Sequence, residues 1–147
     1  LVTEVTSQLV SLARQKKIDL GVEITLNEAN ILGDELMLRE MLSNLIENAI
    51  AYTPNQGIVT VTLSKDMAQN VKLSVTDNGI GIPVSERTRV FERFHRLNDS
   101  AGDGCGLGLA IVQQIVEAHG ADIEISDGIP NPSFPSKGTS VSITFKS

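Results

Sequence analysis

Aromatic residues and cysteine are scarce in this sequence, which has no tryptophan, one tyrosine and one cysteine. Surfaces that bind single-stranded nucleic acid stack bases on aromatic side chains, and an aromatic content of 3% provides little material for them. A single cysteine cannot form an internal disulfide, which favours a reducing, intracellular setting. The sequence also lacks an apolar run long enough to span a bilayer and a charged-then-apolar secretory leader.

Basic residues are outnumbered, because 12 lysines and arginines stand against 18 aspartates and glutamates, for a net charge of −6. An acidic chain repels polyanions, so we expect no nucleic-acid partner, and a phosphate-bearing ligand would need a metal ion beside it. Apolar residues are abundant, at 41% of the 147 residues, which suits one hydrophobic core. We therefore expect a single domain over residues 1–147.

Hydrophobic periodicity predicts helices that alternate with strands. A leading amphipathic helix that closes by Gly21 is marked by four apolar residues at helical spacing: Leu1, Val5, Leu9 and Leu12. Asp34 is placed to cap a second, longer helix, which ends near Tyr52, before Pro54.

Short runs of alternating residues predict the strands. The runs "VEITL" and "NIL" are strand-like, and "IVTVTLS" and "VKLSVTD" are expected to pair as an antiparallel hairpin. Two further strands, "ADIEIS" and "TSVSITF", flank a proline-rich loop. Helices that cover one face of a mixed sheet would give an α/β sandwich.

A cluster of glycines at positions 102, 104, 106 and 108 runs directly into the helix-like segment "LAIVQQIVEAHG". Glycines before a helix let the backbone approach a phosphate, and the helix start offers free N–H groups to it. The spacing matches neither a Walker loop nor a dinucleotide fingerprint. A flexible hinge is the simpler alternative for such a cluster.

Asp77 follows "VKLSVT" in phase with Val71, Leu73 and Val75. A period of two therefore points its carboxylate toward the core, where it costs free energy unless a donor satisfies it. A ligand amine is one such donor. The alternative is a simple turn, because Asp-Asn-Gly is a strong turn sequence.

Asn44, Asn48 and Tyr52 form a stripe along one flank of the apolar face of the long helix, while Glu47 lies about 100° away from Asn48. Taken singly, such amides are usually surface residues. Unpartnered amides at the core boundary are costly, however, and an asparagine carbonyl is a hard oxygen ligand that suits Mg²⁺.

Four stretches occur in a fixed order: "NLIENAIAYT", "DNGIGIP", "VFERFHR" and "GDGCGLGLAIV". Together they resemble the N box, first glycine box, F box and second glycine box of the catalytic, ATP-binding domain of sensor histidine kinases. These kinases belong to the superfamily that includes gyrase and the mismatch-repair ATPases. The resemblance implies a two-layer α/β sandwich, with a mixed sheet of about five strands, about three helices on one face and a mobile ATP lid.

The resemblance also implies a role for each matching residue on the adenine side. Asp77 would accept the adenine amino group, while Gly79 and Gly81 would let the base lie close. Tyr52 would pack against the adenine. Asn48 would hold Mg²⁺.

On the phosphate side, Asn44 would help to position the phosphates and Arg96 would reach the triphosphate, so that Asn44, Asn48 and Arg96 form the implied catalytic set. Phe91 and Phe94 would anchor the lid, although their spacing also suits ordinary core residues. The other implied cofactor-binding positions are Ile82, Gly104, Gly106, Leu107, Gly108, Leu109 and Thr139.

Several positions depart from the family pattern or need a separate interpretation. Many members carry Lys or Arg where this chain has Ala51, so one phosphate contact is expected to be missing. Cys105 is interpreted as a small filler residue and His95 as a tolerated lid residue. His119, before Gly120, is expected to cap a helix end.

The type of reaction depends on Asn44, since the ATPases of the superfamily place a glutamate there to activate water. An amide cannot take a proton from water, so the resemblance favours transfer of the γ-phosphate to a histidine. The implied partners are a helical hairpin that carries the phosphoacceptor histidine and a response regulator. The implied full-length protein is a membrane-anchored homodimer with this domain in the cytoplasm. An ATP-driven clamp, a regulatory nucleotide-binding module and a serine-directed kinase of the same fold remain alternatives.

Overall fold

A five-stranded mixed sheet forms the framework of the fold. The structure is a computed structural model that describes residues 2–25, 33–79, 108–130 and 138–145. Its strands are β1 (Asp19–Ile24), β2 (Ile58–Lys65), β3 (Val71–Asp77), β4 (Asp122–Asp127) and β5 (Thr139–Phe145), and its helices are α1 (Val2–Gln8), α2 (Val10–Gln15), α3 (Glu35–Tyr52) and α4 (Gly108–Ala118).

The strands are ordered β1-β2-β3-β5-β4. β1 runs parallel to β2, and the β2–β3, β3–β5 and β4–β5 pairs are antiparallel. The expected hairpin of β2 and β3 and the mixed character of the sheet are therefore confirmed. The central position of β3 matters for the site, because this strand ends in Asp77.

The two faces of the sheet differ because strand side chains alternate. On β3, every second residue from Val71 to Asp77 is buried on the face that the helices cover, and the residues between are half-buried. The opposite face carries hydroxyl groups that bond across strands, with Ser74 Oγ 2.9 Å from Ser142 Oγ and Thr76 Oγ1 3.0 Å from Ser140 Oγ. The helices thus lie on one face, as expected for a two-layer sandwich.

Helix α3 lies at the centre of the helical layer. The expected cap is confirmed, since Asp34 Oδ1 accepts a hydrogen bond of 3.1 Å from the backbone N–H of Met37. The expected end at Tyr52 is confirmed too. The buried face of the helix consists of apolar residues at helical spacing, namely Leu38, Met41, Leu42, Leu45, Ile46, Ala49 and Ile50.

The single leading helix expected from the periodicity is wrong in detail. The helix is interrupted at Leu9, whose N–H bonds to the carbonyl of Thr6 rather than to that of Val5 and whose ψ of 1° is not helical. The interruption turns Leu12 outward and buries Ala13. Gly21 does not end this helix, because it lies within β1 and pairs with Thr60.

The first strand also differs from expectation. It begins at Asp19 rather than at Val22 and ends at Ile24, because parallel pairing with β2 starts at Asp19 and Ile58. The run "NIL" lies outside the described residues. None of the helices in the described part of the chain is long and apolar enough to cross a membrane.

Candidate functional site

The carboxylate of Asp77 is buried at the C-terminal end of the central strand, with 4% of the residue exposed. Its cross-strand partner is Val59, so it stands among apolar side chains, as the period of two predicted. One carboxylate oxygen, Oδ1, accepts hydrogen bonds from the N–H groups of Gly79 at 2.9 Å and Thr139 at 3.1 Å. Within the described residues, the other oxygen, Oδ2, receives no donor.

Burial raises the pKa of the Asp77 carboxyl from 3.8 to about 6, and the two backbone hydrogen bonds only partly oppose the shift. Desolvation is the largest cause of the shift, and no charged group among the described residues contributes to it. A buried carboxylate with one oxygen that no described donor reaches is a functional-site candidate. It fits a ligand group that donates a hydrogen bond, such as an exocyclic amine.

Glycines surround the end of this strand for reasons of backbone packing. A Cβ atom added at Gly79 would overlap the carbonyl oxygen of Tyr52, and one added at Gly138 would overlap the carbonyl of Asp77. Gly128 packs against the same Asp77 carbonyl, where its Cβ would lie 2.5 Å from the oxygen. The close approach at Gly79 joins the end of β3 to the end of α3.

Asn44, Asn48 and Tyr52 are half-buried along one flank of α3, whereas Glu47 is exposed. Each asparagine donates its side-chain Nδ2 to the backbone carbonyl four residues earlier: Asn44 bonds to the carbonyl of Glu40 at 2.9 Å and Asn48 to that of Asn44 at 2.9 Å. The amide nitrogens are therefore held along the helix, and the carbonyl oxygens Oδ1 remain as acceptors. The structure confirms the stripe but does not test the ligands assigned to it.

Magnesium could be held only in part by such residues. In the described ranges, no cluster of three or more His, Cys, Asp or Glu residues offers a metal site. The Asn48 Oδ1 atom is a hard oxygen of the type that Mg²⁺ prefers, and this ion commonly completes its shell with waters and phosphate oxygens. The donor set thus fits a Mg²⁺ ion that arrives with a polyphosphate, rather than one held by protein ligands alone.

Helix α4 packs beside α3 and is fastened to it by His119. His119 Nδ1 lies 2.8 Å from the carbonyl oxygen of Ile115, which confirms the expected cap, and Nε2 accepts a hydrogen bond of 3.1 Å from the N–H of Asp34. The C-terminal end of α4 therefore lies at the N-terminal end of α3, and the two helices run in opposite directions. Eleven residues of α4 cover about 16 Å, which brings the start of α4, Gly108, level with the segment of α3 around Asn44.

Some of the predicted site residues are described by the structure, and the others lie outside the described ranges. The structure brings together Asp77, Gly79, Tyr52 and Thr139, and it places Gly108 at the first position of α4. Leu109 is half-buried and packs against the hydrophobic core. Predictions for Gly81, Ile82, Phe91, Phe94, His95, Arg96, Gly104, Cys105, Gly106 and Leu107 lie outside the described residues.

Sequence reasoning missed the glycines at 128 and 138, and it missed Lys16, which lies before β1 and contacts the C-terminal end of α3 through its side chain. The Lys16 ammonium Nζ donates to the carbonyl oxygens of Ile50 at 2.8 Å and Ala51 at 3.4 Å. No local signal marks these contacts, because each joins residues far apart in the chain. A related feature of the sequence is that the last turn of α3 has no basic residue of its own, so the negative end of this helix favours a cation from another element.

Comparison with known proteins identifies the family. Residues 33–147 match the model of the histidine kinase-, DNA gyrase B- and HSP90-like ATPases. The adaptive-response sensory kinase SasA of Synechocystis sp. is 37% identical over 131 residues, which cover 88% of this chain and 33% of that protein. The chain therefore spans about a third of the length of this relative.

Solved structures agree with this result. The mycobacterial sensor histidine kinase MprB has a TM-score of 0.79 and 34% identity, with 97% of this chain and 92% of that chain covered. Full-length ShkA in complex with AMPPNP has a TM-score of 0.81 and 29% identity, with 98% and 28% covered. The chain belongs to the histidine kinase-, DNA gyrase B- and HSP90-like ATPase family, and its fold is that of histidine kinase catalytic domains.

Proposed function

We propose that this chain binds Mg²⁺-ATP and donates the γ-phosphate to a histidine on a separate helical hairpin, as the catalytic domain of a sensor histidine kinase. The observation that carries the proposal is the buried Asp77 carboxylate, whose Oδ2 receives no donor among the described residues. The adenine amino group supplies such a donor. The AMPPNP complex of the related ShkA supports a nucleotide with the charge and shape of ATP.

We propose that the adenine lies between Asp77 and Tyr52, where the ends of β3 and α3 meet at Gly79. Thr139 belongs to this side of the site through its backbone bond to the carboxylate. Gly81 and Ile82 extend it by family resemblance. In this arrangement base selectivity comes from one acidic acceptor, which suits an amine and repels a carbonyl oxygen.

For the phosphate side we propose Asn44, Asn48 and Gly108, with Asn48 Oδ1 as the protein ligand of Mg²⁺. Arg96, Gly104, Gly106, Leu107 and Leu109 are added by resemblance. When bound, the metal ion neutralises charge on the phosphate oxygens. That neutralisation is needed here, because the chain itself carries a net charge of −6.

Phosphoryl transfer is favoured over hydrolysis by the side chains on α3. Asn44 occupies the position from which a carboxylate would take a proton from water, and its amide cannot act as a base. Glu40 and Glu47 are the acids nearest to it along the helix; both are exposed, and Glu47 also lies off the stripe. The γ-phosphate is thereby kept for another acceptor.

The acceptor and the partners lie outside this chain in the proposal. Because the chain spans only 33% of SasA, we propose that residues 1–147 form one domain of a longer protein. That protein would carry a dimeric phosphoacceptor hairpin upstream, act on a response regulator and be anchored in the inner membrane with this domain in the cytoplasm. The relatives named as sensor and signal-transduction kinases, among them PmrB of Pseudomonas aeruginosa, support this arrangement.

The test is whether this chain transfers the γ-phosphate of ATP to a phosphoacceptor hairpin that is supplied as a separate molecule. The 147-residue chain, Mg²⁺ and labelled ATP are mixed with the phosphoacceptor hairpin from the longer protein. We expect acid-labile phosphate on the hairpin, none on this chain, and loss of the signal in Asn48→Ala. Rapid release of inorganic phosphate without the hairpin would instead favour an ATPase, and ATP binding without either reaction would favour a regulatory module.

A further inference from the structure

Lys16 holds the C-terminal end of α3 from outside the helix. Its ammonium donates to the last carbonyls of that helix, 2.8 Å from Ile50 O and 3.4 Å from Ala51 O. Helix α3 has no basic residue in its own last turn. Lys16 therefore supplies the positive charge that the negative end of the helix favours, from 34 residues away in sequence.

The backbone of Lys16 holds the same region. Its carbonyl accepts a hydrogen bond of 2.9 Å from the N–H of Gln56, in the turn that follows α3. The side chain is half-buried, and this burial lowers the pKa of the ammonium. Side chain and main chain together fasten the α2–β1 turn to the end of α3.

A short series of contacts links this fastening to the proposed adenine side. Tyr52 is the residue after Ala51, and its carbonyl oxygen packs directly against Gly79. The N–H of Gly79 in turn donates to Asp77 Oδ1 at 2.9 Å. A shift in the last turn of α3 therefore moves Tyr52 directly and disturbs the backbone group that orients the Asp77 carboxylate.

We propose that Lys16 is a positioning residue for adenine recognition, which sets the place of Tyr52 and of the Gly79–Asp77 turn without touching the nucleotide. The proposal rests on the function proposed above. Since the lysine acts on the base side of the site, its loss weakens the binding of ATP and the binding of ADP by the same factor. A lysine that bound the phosphates directly would discriminate between the two nucleotides.

The experiment compares Lys16→Met, Lys16→Arg and Lys17→Met with the unchanged 147-residue chain. Lys17 is the neighbouring lysine and is exposed, so it controls for loss of one positive charge. Calorimetry measures the binding of Mg²⁺-ATP and Mg²⁺-ADP. We expect Lys16→Met to weaken both by about threefold to thirtyfold, Lys16→Arg to restore much of the loss, and Lys17→Met to bind like the unchanged chain.

Tyr52 provides a second readout that needs no nucleotide. It is the only tyrosine, and the sequence has no tryptophan, so tyrosine emission reports on this residue alone. We expect Lys16→Met to change that emission and Lys17→Met to leave it unchanged. If Lys16→Met does not fold, Lys16→Gln replaces it, because glutamine keeps an N–H donor for the carbonyls but not the charge.

Three results would overturn the proposal. Lower thermal stability with unchanged nucleotide affinity and unchanged Tyr52 emission would make Lys16 a structural cap only. If Lys16→Met lost affinity for ATP but not for ADP, Lys16 would contact the phosphates directly. Equal losses of nucleotide affinity in the Lys16→Met and Lys17→Met variants would mean that the net charge of the chain, rather than the position of Lys16, causes the effect. If the unchanged chain bound neither nucleotide, the proposed function would fail, while the emission of Tyr52 would still report whether Lys16 positions α3.

Discussion

Replacing Asp77 with asparagine should make the nucleotide-free protein more stable while it weakens ATP binding. The carboxylate is buried, and within the described residues its Oδ2 has no donor. Asparagine can keep the acceptor for the N–H groups of Gly79 and Thr139 but carries no charge. The substitution therefore removes the cost of a desolvated charge and retains the local hydrogen bonds.

The pKa of Asp77 gives the magnitude and the sign of the expected change in the free energy of unfolding. The pKa rises from 3.8 to about 6 on folding, and each unit corresponds to about 1.36 kcal/mol. Because the folded-state pKa is the higher one, the contribution of this group to stability is fully present below pH 3.8 and is lost as the pH rises through about 6. Ionisation thus costs the folded state about 3 kcal/mol at neutral pH, and Asp77→Asn should recover about 1–3 kcal/mol of it.

The assay is denaturant unfolding without nucleotide at pH 4, 5, 6 and 7.5, on the unchanged chain and on Asp77→Asn. The gain in stability should be largest at pH 7.5 and shrink toward pH 4. Asp19→Asn, at an exposed position on the edge strand β1, is the control and should change little. A variant less stable than the unchanged chain at pH 7.5 would refute the reasoning, because the carboxylate would then be stabilised by a partner. A gain independent of pH would refute it as well, because the gain would then not come from ionisation.

Further predictions concern the ligand, the packing and the acceptor. The same Asp77→Asn variant should lose about 1.5–3 kcal/mol of ATP binding, and GTP, whose 6-oxo group faces the carboxylate, should compete poorly in displacement titrations. Chelation of Mg²⁺ should remove most ATP affinity in calorimetry, and equal binding without metal would contradict the role of Asn48. Gly79→Ala should destabilise the fold by about 1–3 kcal/mol in thermal unfolding, whereas Gly21→Ala, where an added Cβ meets nothing within 4 Å, is its mild control. His119 should not become phosphorylated in the isolated chain, because both ring nitrogens are hydrogen-bonded, and acid-labile label on it would contradict this.

Features that depend on neighbours in sequence were predictable. The Asp34 cap follows from a side chain that bonds three residues ahead, and the inward direction of Asp77 follows from the strand period. The break at Leu9 was not predictable, because the apolar spacing across it is regular and the choice between burying Leu12 and Ala13 is made by packing. The contacts of Lys16 were not predictable either, because its acceptors lie 34 and 35 residues away in the sequence.

The glycine that follows Asp77 shows why a motif and its function are separate inferences. By resemblance, Gly79 leaves room for the adenine base, yet packing against the Tyr52 carbonyl by itself requires glycine there. Its presence therefore indicates that two elements meet closely, and it does not by itself indicate a ligand. The discriminating residue is Asp77, because no packing requirement calls for a buried carboxylate with an oxygen that no described donor reaches. The case for adenine accordingly depends on the acid, and Asp77→Asn tests it more directly than any change to the glycines.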